Sequence, residues 1–446
     1  MDSQRSSDTV TLMGQVVRRS RIALLVVAAG ALTACTITLG EPNGGSPRST
    51  PDEEPGVGAD PTPGGPTISA PGRLAVLEAD GSLYTAQADG SDRSDLIKSP
   101  GAELTALQPA WSPDGDRLAW VISQARDGAI AGAIVIAGPR GEEPSVTPTP
   151  FVPYYLAWSP TGDRVAFLGA GGDPEAPVQM GVLDVGRADA HVVADGEPFL
   201  YFAWGPDGRR VLAHAGFDRL EEVDLDGRSK PVSRRPGLFA TPAWSGDGRT
   251  LVYVERRRDG LQRLVASVDG GSSQVLVEGH GALSFVLRPD GRAVAYQMLG
   301  ERDGDLFDRR ATEPGDGVRV VDLRTGAERR ATSIRAMTFW WSPDGEQLLA
   351  LAPEPESSGE IPFLWQVWNG RRTLDAEGRH SPTLQVLRDY APFFTQYAQS
   401  ATPWAPDGSA FAFPVSSPDG AGQIIVQEVG GDPAAIGPGV YVTWSP

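Results

Sequence analysis

One short phrase recurs along this chain of 446 residues, and its spacing restricts the fold more than any other feature. PAWSPDGDRLAW at 109–120 returns as LAWSPTGDRVAF at 156–167 and as FAWGPDGRRVLA at 202–213. Successive copies are 40 to 63 residues apart. The aromatic positions of the eight copies are Trp111, Trp158, Trp204, Trp244, Leu287, Trp341, Trp404 and Trp444. Such regular copies predict a repeat architecture rather than one continuous core.

Each period contains four short predicted strands. The first strand ends at the Trp, a turn of the form SPDG follows, and an alternating strand such as RLAWVI at 117–122 comes next. A third strand such as IVIAG at 134–138 and a fourth such as HVVAD at 191–195 complete the unit. In the turn, Asp can hydrogen-bond the backbone just ahead and Gly supplies a positive φ, so we interpret the Asp and Trp residues as structural. Repeats of this length and content are typical of a β-propeller with one four-stranded blade per repeat.

The two ends of the chain predict the number of blades. YVTWSP at 441–446 is a first strand without its second, whereas PGRLAV at 71–76 is a second strand without its first. Joined, they make one more copy, so we expect the C-terminal strand to pair with the strand near Arg73 and to close the ring. Residues 73–446 then supply about 47 residues per blade. The prediction is an all-β, closed propeller of eight four-stranded blades, with seven blades as the alternative.

The pattern W-S-P-D-G followed by alternating apolar residues resembles the WD-repeat-like unit of TolB-type propellers and of the propellers in prolyl-oligopeptidase relatives. The resemblance covers residues 73–446. Two copies depart from the pattern without losing the Asp-Gly pair: Leu287 replaces Trp in the fifth, and Gly246 stands where Pro is usual in the fourth.

The segment before the repeats has a different composition. RRSR at 18–21 precedes an apolar run at 22–32, which is shorter than the roughly 20 residues that span a bilayer. The run ends in LTAC at 32–35, which resembles the bacterial lipobox. That resemblance implies a signal peptide at 1–34 and lipidation of Cys35; a plain secretory signal is the alternative.

Residues 35–71 would follow the signal peptide as a tether that begins at the lipidated cysteine. They are rich in Pro, Gly, Ser, Thr and acidic residues, a composition that buries too little apolar surface to offset the entropy of ordering. We therefore expect a disordered spacer that holds the propeller, residues 72–446, away from the membrane.

One face of the predicted propeller concentrates the long loops. The loops between second and third strands and the crossovers between blades lie on this face, including 299–317, 352–363 and 389–400. Aromatic residues near the innermost strands on the same face suggest a ligand platform for a sugar or a peptide, with packing between blades as the alternative. The candidates are Tyr154, Tyr155, Tyr201, Trp340, Phe394 and Tyr397, with Phe339 and Phe393 beside them.

Composition and motifs argue against several classes of function. The formal charge of −18 predicts no basic face for phosphate backbones, so we expect no nucleic-acid binding. The four histidines lie in different repeats, the single cysteine forms no metal site alone, and no G-x-S-x-G motif is present. We expect no metal and no cofactor. The arginine pairs at 309–310, 329–330 and 371–372 are interpreted as solvent-exposed positions at the edges of strands or loops, not as anion-binding sites.

The sequence thus predicts a monomeric lipoprotein that is not an enzyme. It would be anchored by lipid to the membrane in the bacterial envelope, outside the cytoplasm, and its propeller would bind a protein or another envelope component. Two alternatives stay open at this point: an enzyme that acts on carbohydrate through carboxylates at the propeller axis, and a ligand-sensing subunit of a membrane system.

Overall fold

Eight antiparallel sheets form the described part of the chain in the computed structural model. The described residues are 68–98, 104–126, 129–170, 177–196, 199–237, 240–269, 271, 273–299, 317–333, 335–353, 363–417 and 420–446. The predicted signal peptide, Cys35 and nearly all of the tether lie outside them, as do most of the loops at 299–317 and 352–363.

The sheets follow the chain in order, one blade per repeat, and in each blade the strand nearest the axis comes first. The strands of blades 1 to 4 are β31 (Tyr441–Trp444), β1 (Arg73–Leu77), β2 (Leu83–Gln87), β3 (Ser94–Ile97); β4 (Leu104–Trp111), β5 (Leu118–Arg126), β6 (Ala129–Ala137), β7 (Ser145–Pro148); β8 (Val152–Trp158), β9 (Arg164–Ala170), β10 (Val178–Asp184), β11 (Asp189–Gly196); and β12 (Leu200–Trp204), β13 (Arg210–Ala215), β14 (Arg219–Asp224), β15 (Ser229–Ser233). The strands of blades 5 to 8 are β16 (Ala243–Trp244), β17 (Thr250–Arg256), β18 (Gln262–Val268), β19 (Gln274–Gly279); β20 (Ala282–Leu287), β21 (Ala293–Leu299), β22 (Arg319–Asp322), β23 (Glu328–Arg330); β24 (Thr338–Trp341), β25 (Leu348–Pro353), β26 (Phe363–Trp368), β27 (Thr373–Arg379); and β28 (Ala410–Val415), β29 (Gln423–Glu428), β30 (Pro433–Pro438).

The ring closes through the C-terminal strand, as predicted. Strand β31 pairs antiparallel with β1, and Leu74 lies opposite Trp444. Beyond the ladder, the amide of Ser445 donates to the carbonyl of Arg73 at 2.8 Å. The Trp444 indole donates to the carbonyl of Pro71 at 2.8 Å. Eight blades are therefore confirmed, and the alternative of seven is excluded.

Blade 8 departs from the common pattern at its first strand. That strand is reduced to a single bridge between Trp404 and Phe411. Pro403 lies in this segment and has no N–H to donate to a ladder, although its carbonyl still accepts from Ala412 at 2.8 Å. The neighbouring carbonyl of Thr402 accepts from the amide of Trp444 at 2.9 Å, which joins blade 8 directly to blade 1.

Five of the repeated tryptophans join their blade to the one before it, which confirms their structural role. The indole of Trp158 donates to the carbonyl of Ala110 in blade 2 at 2.9 Å, and the indole of Trp204 donates to Ala157 in blade 3 at 3.0 Å. Hydrogen bonds from an indole to a backbone carbonyl also join Trp111 to Thr443, Trp341 to Val286 and Trp404 to Trp340. A buried indole thus fills the space between blades and also satisfies a backbone acceptor there.

The turn after each tryptophan uses its polar residues internally. In the second blade the Ser112 hydroxyl donates to the Asp114 carboxylate at 2.5 Å, and the amide of Asp116 donates to the same oxygen at 3.2 Å. The hydroxyl of Ser112 is the main reason that the pKa of Asp114 is lowered. Gly115 follows with a φ of 73°, as the turn type requires. The turn aspartates are therefore structural.

Within the described residues, no helix is long and apolar enough to cross a membrane.

Candidate functional site

The crossover from blade 7 to blade 8 folds into the middle of the ring. It consists of a π-helical turn at Val386–Tyr390, a 3₁₀ turn at Ala391–Phe393 and a short helix, α1, at Phe394–Tyr397. We call residues 384–400 the axial segment. The long spacing between Trp341 and Trp404 predicted extra residues here, but as a loop on the face of the propeller.

Gln396 gives the axial segment its most specific contact. Its side-chain oxygen accepts from the amide of Phe202 at 2.9 Å, and its side-chain nitrogen donates to the Phe202 carbonyl at 2.9 Å. The hydroxyl of Tyr155 donates to the backbone carbonyl of Gln396 at 2.8 Å. Gln396 is 3% exposed. Its side chain therefore satisfies backbone groups of β12 as a neighbouring strand would do.

Further contacts reach most of the other blades. The hydroxyls of Thr395 and Thr241 lie 3.0 Å apart before blade 5, and the Gln399 amide donates to the Pro242 carbonyl at 3.1 Å. Two pairs of aromatic rings make further contacts. The ring centroids of Phe394 and Phe339 of blade 7 are 4.8 Å apart, and Tyr390 stacks on Tyr441 of blade 1 with centroids 4.1 Å apart. A segment that touches inner strands on opposite sides of a closed ring must lie at its axis. The chain thus fills the entrance of its own axial channel on the long-loop face.

The predicted aromatic platform divides into three places. Tyr154, Tyr155 and Tyr397 lie together, because the ring of Tyr397 meets that of Tyr155 edge-on at 5.1 Å and its hydroxyl donates to the Tyr154 carbonyl at 3.3 Å. Tyr201 lies apart from this group and packs on Phe199 at 5.4 Å. The two remaining residues are on blade 7 and in the axial segment: Trp340, which stacks with Trp365, and Phe394, which packs on Phe339.

Burial limits what this platform can contact. Tyr155, Tyr201 and Phe394 are at most 8% exposed, so they offer no surface to a ligand in this arrangement. Burial also raises the pKa of Tyr155 to about 12, which keeps its hydroxyl protonated as the donor to Gln396. Tyr154, Trp340 and Tyr397 are half-buried. Ligand binding by these three residues stays a prediction.

A buried histidine lies beside Tyr201. The Nδ1 atom of His214 donates to the Ala240 carbonyl at 2.7 Å, while its Nε2 atom has no partner among the described residues. Rings of Phe199 and Tyr201 cover it. Burial therefore lowers the pKa of His214 to about 4, because the charged ring would lose its hydration there.

This pKa predicts a pH-dependent stability. In the unfolded chain His214 takes up a proton near pH 6.5, whereas in the folded chain it does so only near pH 4. The free energy of unfolding therefore decreases as the pH falls from 6.5 toward 4. Between pH 7 and pH 5, we expect the free energy of unfolding to fall by about 2 kcal/mol less in His214→Phe than in the wild type, as measured by urea unfolding. His191→Phe, which removes an exposed histidine from β11, is the matched control variant. Equal slopes for wild type and His214→Phe would contradict the prediction.

The axis offers little for acid–base chemistry in the part of the chain that is described. The axial segment carries one carboxylate, Asp389, which binds the guanidinium of Arg388 through two contacts of 2.7 Å. No three His, Cys, Asp or Glu residues lie close enough to hold a metal ion among the described residues.

An open groove lies away from the axis, between blades 4 and 5 on the long-loop face. Its volume is about 580 Å³. One wall consists of the end of β15 and the residues after it, and the other consists of the turn between β17 and β18 with its flanking residues. We call it the arginine groove. Its lining consists of Ser233, Arg234, Arg235, Glu255, Arg256, Arg257, Arg258, Asp259 and Arg263.

Backbone pairing holds the two walls of the arginine groove together. Pro236 forms an antiparallel bridge with Glu255, and the amide of Arg256 donates to the carbonyl of Arg235 at 2.8 Å. The amide of Gly237 donates to Val254 at 2.7 Å on the other side of the bridge. Arg235 and Arg256 are therefore neighbours across two paired segments.

Only part of this positive charge is neutralised. Arg263 donates to Glu278 at 2.5 Å, and Arg257 contacts both Glu278 and Asp259. The bond from Arg263 is the largest of the effects that lower the pKa of Glu278. The other four arginines form no ion pair with any described residue: Arg234, Arg235, Arg256 and Arg258.

The sequence analysis did not single out the arginine groove. Its signal was present as SRR at 233–235 and ERRR at 255–258 in an otherwise acidic chain. The two runs are about 20 residues apart and belong to different repeats, so only the folded structure shows that they face each other.

The fold and the site together define an eight-bladed β-propeller with a filled axial entrance and a basic groove at its rim. No family model matches the chain, and no curated protein matches it in sequence. Among solved structures, a eukaryotic initiation factor has a TM-score of 0.52 at 13% identity, over 85% of this chain and 99% of that one.

Two other solved structures bear on the resemblances seen in the sequence. A prolyl endopeptidase has a TM-score of 0.51 at 13% identity over 77% of this chain, which spans about half (50%) of the endopeptidase. TolB from Acinetobacter baumannii has a TM-score of 0.38 at 13% identity, over 83% of this chain and 81% of that one, a likeness too low to support a conclusion. The initiation factor and the endopeptidase show the propeller fold alone.

Proposed function

We propose that this protein is a binding module, not an enzyme, and that a lipid on Cys35 anchors it to the outside of a bacterial membrane. The observation that carries the proposal is the axial segment. A propeller that works as an enzyme through its axis needs an open entrance there, and here the chain's own residues 384–400 occupy it.

What the propeller offers to a partner is therefore its surface. A closed ring of eight blades is a rigid support for the loops on its two faces. The partner would be a protein or another component of the envelope, held at the distance that the tether at 35–71 allows. An open basic groove at the rim, on the same face as the long loops, is consistent with binding at the surface.

A sedimentation assay separates binding from catalysis. The chain from residue 36 onward, which is free of lipid, is mixed with isolated bacterial envelopes, and the bound fraction is measured as the protein concentration rises. Saturable binding without release of soluble sugar fragments is expected. Release of fragments that disappears in Asp389→Asn would overturn the proposal, because it would place catalysis at the axis. Heat-unfolded protein serves as the control for trapping.

The lipid anchor predicts the behaviour of Cys35→Ala. In a bacterial host, the wild type is expected in the membrane fraction and in the detergent phase of a Triton X-114 partition. Cys35→Ala removes the sulfur that would carry the lipid, so the protein is expected to leave the detergent phase. Thr36→Ala changes the next residue and keeps the cysteine, so it is the matched control. Unchanged partition of Cys35→Ala would refute the anchor.

A further inference from the structure

We propose that the arginine groove binds a linear polyanion, a polymer that carries repeated phosphate or carboxylate groups and no bases. This assignment rests on the proposed binding function and names the ligand of that function. It is drawn from the charge, the pairing and the shape of the groove.

The charge of the arginine groove opposes that of the whole protein. The chain carries a formal charge of −18, yet six arginines and only two carboxylates line the groove. A local field of this sign concentrates anions at the groove, although the rest of the surface repels them. The site therefore selects anionic groups that reach it as part of a flexible chain.

Two of these arginines also occupy opposite positions on paired backbone segments. Arg235 and Arg256 are backbone neighbours across the bridge between Pro236 and Glu255, and like charges in such a cross-strand position are destabilising. Within the described residues no carboxylate pairs with either side chain. An oxyanion placed between two guanidinium groups would relieve this repulsion and accept two or more charge-assisted hydrogen bonds.

A second groove has a smaller excess of positive charge than the arginine groove. It lies on the opposite face of blade 4 and also contains basic residues. There Arg210 binds Glu222 at 2.7 Å, and Arg228 contacts Asp224 at 3.6 Å. Two carboxylates thus pair with two of the four cations in the second groove, whereas in the arginine groove four of six cations form no ion pair among the described residues.

The shape and lining of the arginine groove favour a polymer without bases. Its unpaired guanidinium groups come from two walls and follow a cleft of about 580 Å³, which suits several anionic groups in succession rather than one enclosed ion. Among the described residues that line it there is no Phe, Tyr or Trp, and single-stranded nucleic acid needs such rings for its bases to stack on.

The test measures binding of fluorescein-labelled polyphosphate and of polygalacturonate to the chain from residue 36 onward, over a series of salt concentrations. Binding that weakens as salt rises is expected for at least one polymer. The double variant Arg235→Ala/Arg256→Ala is expected to bind about tenfold or more weakly, with a smaller salt slope. Arg371→Ala/Arg372→Ala removes the same charge from an exposed turn of blade 7 and is expected to bind as the wild type does.

The two polymers distinguish a phosphate ligand from a carboxylate ligand, and three further probes can overturn the assignment. Tighter binding of a 20-residue oligothymidine would make the site a nucleic-acid site. Binding only of phosphatidylglycerol vesicles would make it a membrane contact, and binding only of poly-glutamate would make it a peptide site. An equal loss in both double variants would show that net charge alone, and not the groove, is responsible.

A stability measurement guards against a merely structural effect. If the repulsion is real, Arg235→Ala should unfold at a urea concentration equal to or above that of the wild type, while its affinity for the polymer falls. A variant that loses stability and affinity together would contradict the proposal. The proposed function is judged separately: if no polymer binds but envelopes are still bound saturably, the ligand assignment fails and the binding function stands.

Discussion

Deletion of residues 441–446 is expected to abolish cooperative folding of the propeller. These residues include β31, which lines the axis in blade 1 and pairs with β1 from Leu74 to Leu77. Without β31, the apolar strand β1 becomes an exposed edge, and blades 8 and 1 lose the backbone bond between Trp444 and Thr402. Because native domains are stable by only about 5–15 kcal/mol, loss of a whole inner strand exceeds what the rest can offset.

A single substitution gives a graded form of the same test. Trp444 is 1% exposed, and its indole donates to Pro71. We expect Trp444→Ala to lower the free energy of unfolding by about 3–5 kcal/mol, as for other buried aromatic residues. Trp444→Phe keeps much of the packing and loses the donated bond, so a smaller loss of about 1–2 kcal/mol is expected.

Urea unfolding followed by circular dichroism measures both variants, because that signal does not depend on the tryptophan that is removed. Pro446→Ala is the control at the exposed end of the chain, just beyond the same strand. An unchanged unfolding midpoint for the deletion at 441–446 would mean that the ring does not depend on this closure.

The repeat pattern made the ring predictable, and the reason is local. Most copies of the phrase encode a strand ending in a Trp that bonds to the previous blade, followed by a turn with an Asp acceptor and a Gly of positive φ. The strand and the turn depend on neighbours within one repeat, and the Trp recurs at the same place in most copies, so the sequence reveals all three. The half-copies at 71–76 and 441–446 then fixed the count of eight.

The axial segment was not predictable in the same way. The 63-residue step before Trp404 indicated extra chain. Nothing in its sequence shows that Gln396 will meet the backbone of Phe202, almost 200 residues earlier. The aromatic residues predicted as one platform lie in three places, and Tyr155, Tyr201 and Phe394 are buried. The arginine groove was missed for the same physical reason, since its two walls come from different repeats.

Gln396→Ala is expected to destabilise the protein by about 2–4 kcal/mol. The substitution leaves the buried amide and carbonyl of Phe202 without their partners, and an unsatisfied buried polar group costs about 1–3 kcal/mol. The exposed Gln399 donates one bond to Pro242 at 3.1 Å, so Gln399→Ala should cost about 1 kcal/mol or less and serves as the matched control.

Hydrogen exchange at Phe202 adds a local readout to the urea measurement. In the wild type its amide is held by Gln396 inside the axis and should exchange only through large openings. In Gln396→Ala exchange should become much faster, while amides in the outer strand β15 keep their rates. Similar small losses for Gln396→Ala and Gln399→Ala would show that the axial segment leaves the entrance easily. The axis would then be open to a substrate, and the argument for a binding module over an enzyme would lose its main support.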